Sequence, residues 1–390
     1  MPAAYKLLEI IFRSIDWEII KRKNRESRAN RKVHIMFCMC DHFEPGTAGA
    51  SLGVANSRMF DLLSKYPSIA DQYRDSDGRP PRRSWFFPPH YHKHGWLRSL
   101  VSLCSDGYGE IELHLHHGKK LPDSSANLRA TLKLCIDEYA RFGIFGKSGR
   151  ETKYGFIHGD WALNNSRNGQ FCGVNDELAI LKETGCYADF TLPSPVGGAF
   201  DRSNSLYYAD VNSLHSNSHT RGNFSRVDRD SNLNNSGLLI VQGPLHPLRI
   251  SRSIFSTRIV GDGLDNFLPI SESRIDSWVD AGISVDGKSD WLFIKTHTHG
   301  AMDSDTVLGN KMHTLFQYLG SKYNDGVNFC LHYVTARELY NIIKAAEAGE
   351  VSDNPITYKD YLISEPVYDP RVDINEASDS LWNLISTTYS

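Results

Sequence analysis

No run of this chain reaches the roughly 18–20 consecutive apolar residues that a membrane-spanning helix needs. No two cysteines stand at C-x-x-C spacing. The seven that occur, at 38, 40, 104, 135, 172, 186 and 330, are odd in number and scattered, most of them inside apolar runs where cysteine acts as a small hydrophobe. A reducing compartment and no disulfide framework are therefore expected. An excess of positive charge is also missing: 43 Lys and Arg face 46 Asp and Glu, for a formal net charge of −3. That balance argues against a broad nucleic-acid footprint, so no nucleic-acid partner is expected. There is no internal repeat. The stretch "GDGLDN" at 261–266 is too faint a match to a phosphate loop to carry an assignment.

The N-terminus, "MPAAYKLLEIIFRSIDWEIIKRKNRESRANRK", lacks a small-residue cleavage site, and acidic residues interrupt its apolar part. It reads as an amphipathic helix over 1–30, packed on the domain, with docking on a membrane surface as the alternative. The expected location is cytoplasmic, with room for peripheral contact with the inner membrane or with glycosyltransferases there.

What is present is a globular composition, 40% hydrophobic and 23% charged. Strand-like runs fall at 33–40, 84–89, 110–116, 154–159, 187–193, 238–243, 291–299 and 328–334. Between them lie helical patterns such as "LRATLKLCIDEYARFG", "VNDELAILKETG", "SRIDSWVDAG" and "HTLFQYLGSKY". Thr335 and Glu338 have capping-box spacing ahead of "LYNIIKAAE". Short strands alternating with helices imply βα units and a largely parallel sheet; seven or eight such units suggest a barrel over 31–350. A long polar loop at 196–237 breaks the rhythm. The tail, 351–390, has little periodicity and is expected to pack on the barrel.

Ionisable residues gather where the strands end: Asp41, His42 and Glu44; His90, His92 and His94; His114, His116 and His117; His158 and Asp160; Asp189; His297 and His299. In a parallel barrel those ends converge on one face. Loops favour Ser, Asn, Gly and Lys, so a surplus of His points to a site. In "EIELHLHH", Glu110, Glu112, His114 and His116 share one strand face, while Ile111, Leu113, Leu115 and His117 share the other. The polar face should look into the barrel mouth. His114 and His116 could then reach one ion, and His117 could join them if the strand has already turned. Imidazoles with a carboxylate suit zinc or another first-row divalent ion. Trp161 and Tyr187 suit a sugar platform, although such aromatics are more often core.

The order "MFCMCDHFEP", "SWFFPPHYH", "GEIELHLHHGKK", "GFIHGDWALNNS", "GCYADFTLPS", "WLFIKTHTHGA" resembles the polysaccharide deacetylase (NodB-homology) family over roughly residues 33–345. It is most similar to a divergent branch associated with bacterial surface-polysaccharide loci. The resemblance implies a distorted (β/α) barrel of seven or eight parallel strands. It also implies removal of N- or O-acetyl groups from a sugar with one divalent metal ion, zinc first, with manganese or cobalt as alternatives. The family's paired acidic residues fall on Asp41-His42, so Asp41 takes the role of base or of metal ligand and His42 supplies the other. Its His-x3-His motif falls on His114 and Gly118, so His116 or His117 substitutes for the second His. Its Arg-x-Pro-Tyr motif is replaced by "GDWALNN". There Asp160 is a catalytic candidate, and Trp161 and Asn164, with His158, are candidate substrate contacts. Asp189 matches the fourth motif loosely, as a further catalytic candidate, with Tyr187 beside it as a substrate contact. The last motif falls on "THTH", with His297 or His299 as the acid; His299 is taken as catalytic and His297 as a substrate contact. The implied partner is an acetylated carbohydrate. Two rivals remain: another metal hydrolase on the same barrel, acting on a phosphoester or cyclic amide, and a non-catalytic glycan-binding or assembly protein.

Overall fold

Each of the expected strand runs contributes to one large sheet. The computed structural model describes residues 3–191, 193, 202–213, 215–216, 220, 222–229, 237–249, 257–266 and 268–372. Much of the 196–237 loop and the tail beyond 372 thus lie outside the described residues, as do the side chains of His92 and His94. Among the described residues, eight strands are joined by parallel pairings. These are β1 (Val33–His42), β2 (Arg83–Phe87), β3 (Gly109–Leu115), β4 (Glu151–His158), β5 (Cys186–Asp189), β6 (Gly237–Val241), β7 (Trp291–Thr298) and β8 (Phe329–Tyr333). The order is β7-β1-β2-β3-β4-β5-β6. β7 runs along one edge of β1, so β8 and β2 share the other: β8 pairs residues 33–37 and β2 pairs 39–42.

Beyond β6 the sheet turns antiparallel. Leu206–Asp210 pairs with β6, and Asn223–Phe224 pairs with that strand. Both lie inside the stretch expected to be a loop; "LYYAD" is a strand whose signal is diluted by its polar flanks. A hairpin of His246–Arg249 and Thr257–Val260 follows, and Gly263 just after it makes an isolated parallel bridge to His297 of β7. The architecture is therefore mixed α/β with a mostly parallel central sheet. No strand pairing among the described residues closes it into a ring.

Among the described residues, the helices Leu52–Ala70, Trp96–Ser105 and the short Ser304–Val307 escaped the reading of the sequence; Pro67 lies inside the first, where proline normally argues against a helix. The last helix, Ala336–Glu347, begins with the Thr335–Glu338 capping box. The N-terminal helix, Ala3–Arg28, docks through the far end of Glu272–Asp280. Asn24 donates to the carbonyls of Asp280 and Ala281, Arg28 donates to that of Val279, and Arg25 pairs with the Asp280 carboxylate. Those carbonyls are the acceptors a helix end leaves unsatisfied. Among the described residues, no helix is long and apolar enough to cross a membrane.

The pleat sorts the side chains into two cores. Ile35, Phe37, Met39, Trp85, Phe87, Ile111, Leu113, Leu115 and Phe156 pack with helix residues such as Leu62, Leu100, Leu132 and Leu315. Met36, Cys38, Cys40, Phe86, Ile157, Leu239, Val241 and Phe293 pack together on the opposite, inner face. This alternation continues past the strand ends and decides the geometry of the site.

Glu110 and Glu112 lie on the inner face but not at the mouth formed by the strand ends. Glu110 makes a buried two-pronged ion pair with Arg337, at 2.7 and 3.0 Å. Glu112 accepts from the Gly155 N–H and the Tyr187 hydroxyl, and burial pushes its carboxyl up to about 8. The folded chain then keeps a proton that the unfolded chain releases, so this residue's contribution to stability is full below the ordinary carboxyl value of 4.5 and is lost as pH rises through about 8. Glu112→Gln, which mimics the neutral acid, should flatten that slope. Urea midpoints at about pH 5 and about pH 8 check this; an unchanged slope would refute it.

Candidate metal centres at the strand ends

Four segments converge on the inner face beyond β1, β3 and β7. His42, at the end of β1, continues the Met36–Cys38–Cys40 series inward; its ring centre lies 5.1 Å from that of His114, 4.8 Å from His299 and 5.8 Å from His297. Glu44, two residues on, reaches into the same space. Its Oε1 is 2.9 Å from His116 Nε2, and its Oε2 is 3.8 Å from His114 Nε2 and 3.9 Å from His299 Nε2. Glu44, His114 and His116 thus bring one donor atom each within 4.8 Å of one another, a set that could hold a metal ion.

The imidazoles are turned to suit an ion. His114 Nδ1 donates to the Ile157 carbonyl at 3.0 Å, which leaves its buried Nε2 free of any hydrogen-bond partner. His116 Nδ1 bonds to Asp160 Oδ2 at 2.9 Å. A ligating histidine characteristically uses its other ring nitrogen in this way, which fixes both tautomer and ring orientation. Gly159 permits the arrangement, because a Cβ there would collide with the His116 ring. Burial alone would raise the Glu44 carboxyl, but His116, bonded to it at 2.9 Å, and the nearby His114 hold it well below the ordinary range. Burial lowers His42 well below its usual value, and His299 to about 4, so both are neutral near pH 7.

His297 stands beside this group. Its Nδ1 is 2.8 Å from Asp262 Oδ1, and the other Asp262 oxygen is 3.0 Å from Lys295 Nζ. Burial would raise Asp262, but Lys295 and His297 hold it at about 2. Asp262 comes from the "GDGLDN" stretch set aside above as an empty match.

Asp41 is a correction. It continues the Phe37–Met39 series and faces the helix side of the sheet, away from His42. One oxygen pairs with Arg83 Nη1 at 2.6 Å and the other accepts from the Gly300 N–H at 3.1 Å. The Arg83 guanidinium lies over Tyr66 and Trp85. Asp41 is completely buried, and no His is among its bonded partners. It braces the turn after His299 and does not join the ligand set.

His117 also departs from the expected set. Adjacent to His116, it points to the opposite face and meets His158, Cys172 and Glu177, a second group whose donor atoms lie within 4.8 Å of one another. His158 is therefore not on the mouth side. Asp160 acts through His116. Asp189 is buried, pushed up to about 7 by burial, and accepts from Thr191 N and Oγ1. Thr191 Oγ1 in turn accepts from the His158 N–H, so Asp189 supports the backbone there. Asn164 donates to the Asn175 carbonyl and is 1% exposed, so it offers nothing to a substrate. Tyr187 is buried with its hydroxyl on Glu112, so it is not a sugar platform. Trp161 is partly exposed, next to Asp160. His90 has its ring centre 6.4 Å from that of His116.

No family model, curated protein or solved structure matches this chain.

Proposed function

We propose that the protein is a metal-dependent hydrolase that removes acetyl groups from a sugar or polysaccharide intermediate, built on a distorted (β/α) barrel of the deacetylase type. One observation carries the reading: Glu44, His114 and His116 converge on the mouth side, each His locked by its Nδ1, with neutral His299 beside them. Two His and one carboxylate with a position left open is the donor set of hydrolytic rather than purely structural zinc sites. The acetyl and sugar specificity rests on the resemblance of the sequence motifs.

A divalent ion at this site would lower the pKa of a water and polarise the acyl oxygen. The chain's own groups then manage protons. His299, 24% exposed at its side chain and neutral, is placed to accept the water proton as the oxygen attacks the acyl carbon. Asp262 accepts a hydrogen bond from the Nδ1–H of His297 and fixes its tautomer, so Nε2 is the atom that exchanges a proton. His297 is thereby the group we assign to protonate the departing nitrogen or oxygen, a role the motif order leaves open between His297 and His299. Asp160 and Asp262 are positioning residues. A two-ion phosphoesterase is disfavoured, because two-ion sites hold their metals about 3.5–4 Å apart and the two His-rich groups here share no residue.

The test pairs metal content with acetate release. Wild-type protein is expected to bind a divalent ion and to release acetate from acetylated sugars. His114→Ala should lose that ion and at least about 100-fold in rate. Acetate release that persists in a His114→Ala protein lacking the ion would sink the mechanism.

A further inference from the structure

Behind the mouth, on the helix side of the sheet, the chain assembles a second donor set that the hydrolytic reading does not use. His117 follows the Leu113–Leu115 series outward from β3, and His158 at the end of β4 points the same way, beside Phe156. Cys172 comes from the following loop, and Glu177 opens the helix Glu177–Glu183. All four are buried: His117 is 5% exposed, His158 1%, and Cys172 and Glu177 0%. Glu177 Oε1 lies 3.0 Å from His117 Nε2 and 3.5 Å from His158 Nε2, and its Oε2 lies 3.5 Å from Cys172 Sγ. A tetrahedral zinc ion with bonds of about 2.0–2.3 Å has ligand-to-ligand edges of roughly 3.3–3.8 Å, close to this spacing.

Three further features point to an ion. His158 Nε2 is aimed into the group, fully buried and without a hydrogen-bond partner, while its Nδ1 bonds to the Gly159 carbonyl at 2.6 Å. A buried polar atom left unpaired is costly unless something occupies its lone pair. His117 Nδ1 lies 3.0 Å from a carboxylate oxygen of Asp123, so its outer nitrogen faces an anionic partner, as that of a ligating His commonly does. Cys172 Sγ accepts the backbone N–H groups of Asn165 and Val174, at 3.3 and 3.5 Å, which suits a thiolate.

We propose that His117, His158, Cys172 and Glu177 bind a second ion of the zinc type, as a closed structural site with four protein ligands. It fastens the 159–176 loop to the sheet. That loop needs fastening: Asp160, Trp161, Asn164, Asn165, Asn168 and Phe171 all have positive φ, a conformation held only when its surroundings dictate it. Gly118 permits the loop's close approach, because a Cβ there would strike the Cys172 backbone. The same loop presents Asp160 to His116. A structural ion on one face of β3 and β4 thus holds in place the carboxylate that orients a ligand on the other.

Protein purified from zinc-supplemented medium is expected to carry about two ions per chain. Cys172→Ala should retain about one, as should His114→Ala. Protein from cobalt medium is expected to show sulfur-to-cobalt charge-transfer absorption in wild type and in His114→Ala, and to lose it in Cys172→Ala. Absence of the sulfur band from cobalt-loaded wild type, or its survival in Cys172→Ala, overturns the proposal. Should Cys172→Ala fail to fold, the band in wild type and His114→Ala decides. A band present while His114→Ala loses no ion would support this site and sink the mouth-side one.

Discussion

Glu44→Gln is expected to weaken divalent-ion binding at the mouth by more than about 100-fold, because removing even the outer hydrogen-bond partner of a ligand costs about 10–100-fold. The substitution preserves shape and deletes the charge. One Glu44 oxygen is 2.9 Å from His116 Nε2, and the other lies 3.8 Å from His114 and 3.9 Å from His299. Among the described residues, no other carboxylate contacts both His114 and His116. Titration calorimetry with zinc on protein stripped at the mouth measures the affinity, and acetate release should fall with it. Asp41→Asn is the matched contrast. It leaves the buried Arg83 charge without its partner, which costs about 3–5 kcal/mol of stability for a pair of this kind, but it should leave zinc affinity at the mouth within a few-fold of wild type. The reverse pattern, with Asp41→Asn abolishing binding and Glu44→Gln sparing it, would restore Asp41 as a ligand and refute the assignment.

Arg337→Met is expected to cost about 3–5 kcal/mol, a large part of the roughly 5–15 kcal/mol that stabilises a folded protein. Arg337 is 1% exposed, and its guanidinium holds both oxygens of Glu110. Its remaining nitrogen donates to the Lys359 and Ile363 carbonyls and to Asp360, so the same side chain ties residues 359–363 to the underside of the sheet. Methionine fills the space but leaves Glu110 buried with, among the described residues, only the Thr335 hydroxyl as a bonded partner. The cost comes from the stranded carboxylate, so Arg337→Met with Glu110→Leu should recover most of the loss, since exchanging a whole buried pair for apolar groups is often neutral. Urea midpoints of the three variants measure this. Protease cleavage near 359–363 should also quicken in Arg337→Met. A double variant no more stable than the single one would show that the ion pair itself, not the unpaired charge, sets the cost.

Much of this molecule could be read from local pattern. Each apolar run from 33–40 to 328–334 became a strand, and the "TARE" capping box marked a helix start, because both signals depend on near neighbours. The crowding of His at strand ends was legible too. What failed was the assignment of an adjacent pair. Asp41 beside His42 looks like a joint pair in one dimension, whereas the alternation in "EIELHLHH" already puts His116 and His117 on opposite strand faces. The pleat sends the members of each pair to opposite faces. Applying to "CDH" the alternation already used for "EIELHLHH" would have separated Asp41 from His42.

The remaining partners had no local signal. Arg83 meets Asp41 from the next strand, Asp262 comes from a dismissed glycine-rich stretch, and Glu177 opens a short helix. The sequence by itself determined the strands, their alternating faces and the histidine-rich end of the sheet, since period and composition are properties of contiguous residues. Only the tertiary structure decided that Glu44 rather than Asp41 meets His114 and His116, and that His117 turns instead toward Cys172. Those contacts depend on which strands become neighbours and how far each loop travels, and that is settled by packing between residues far apart in the chain.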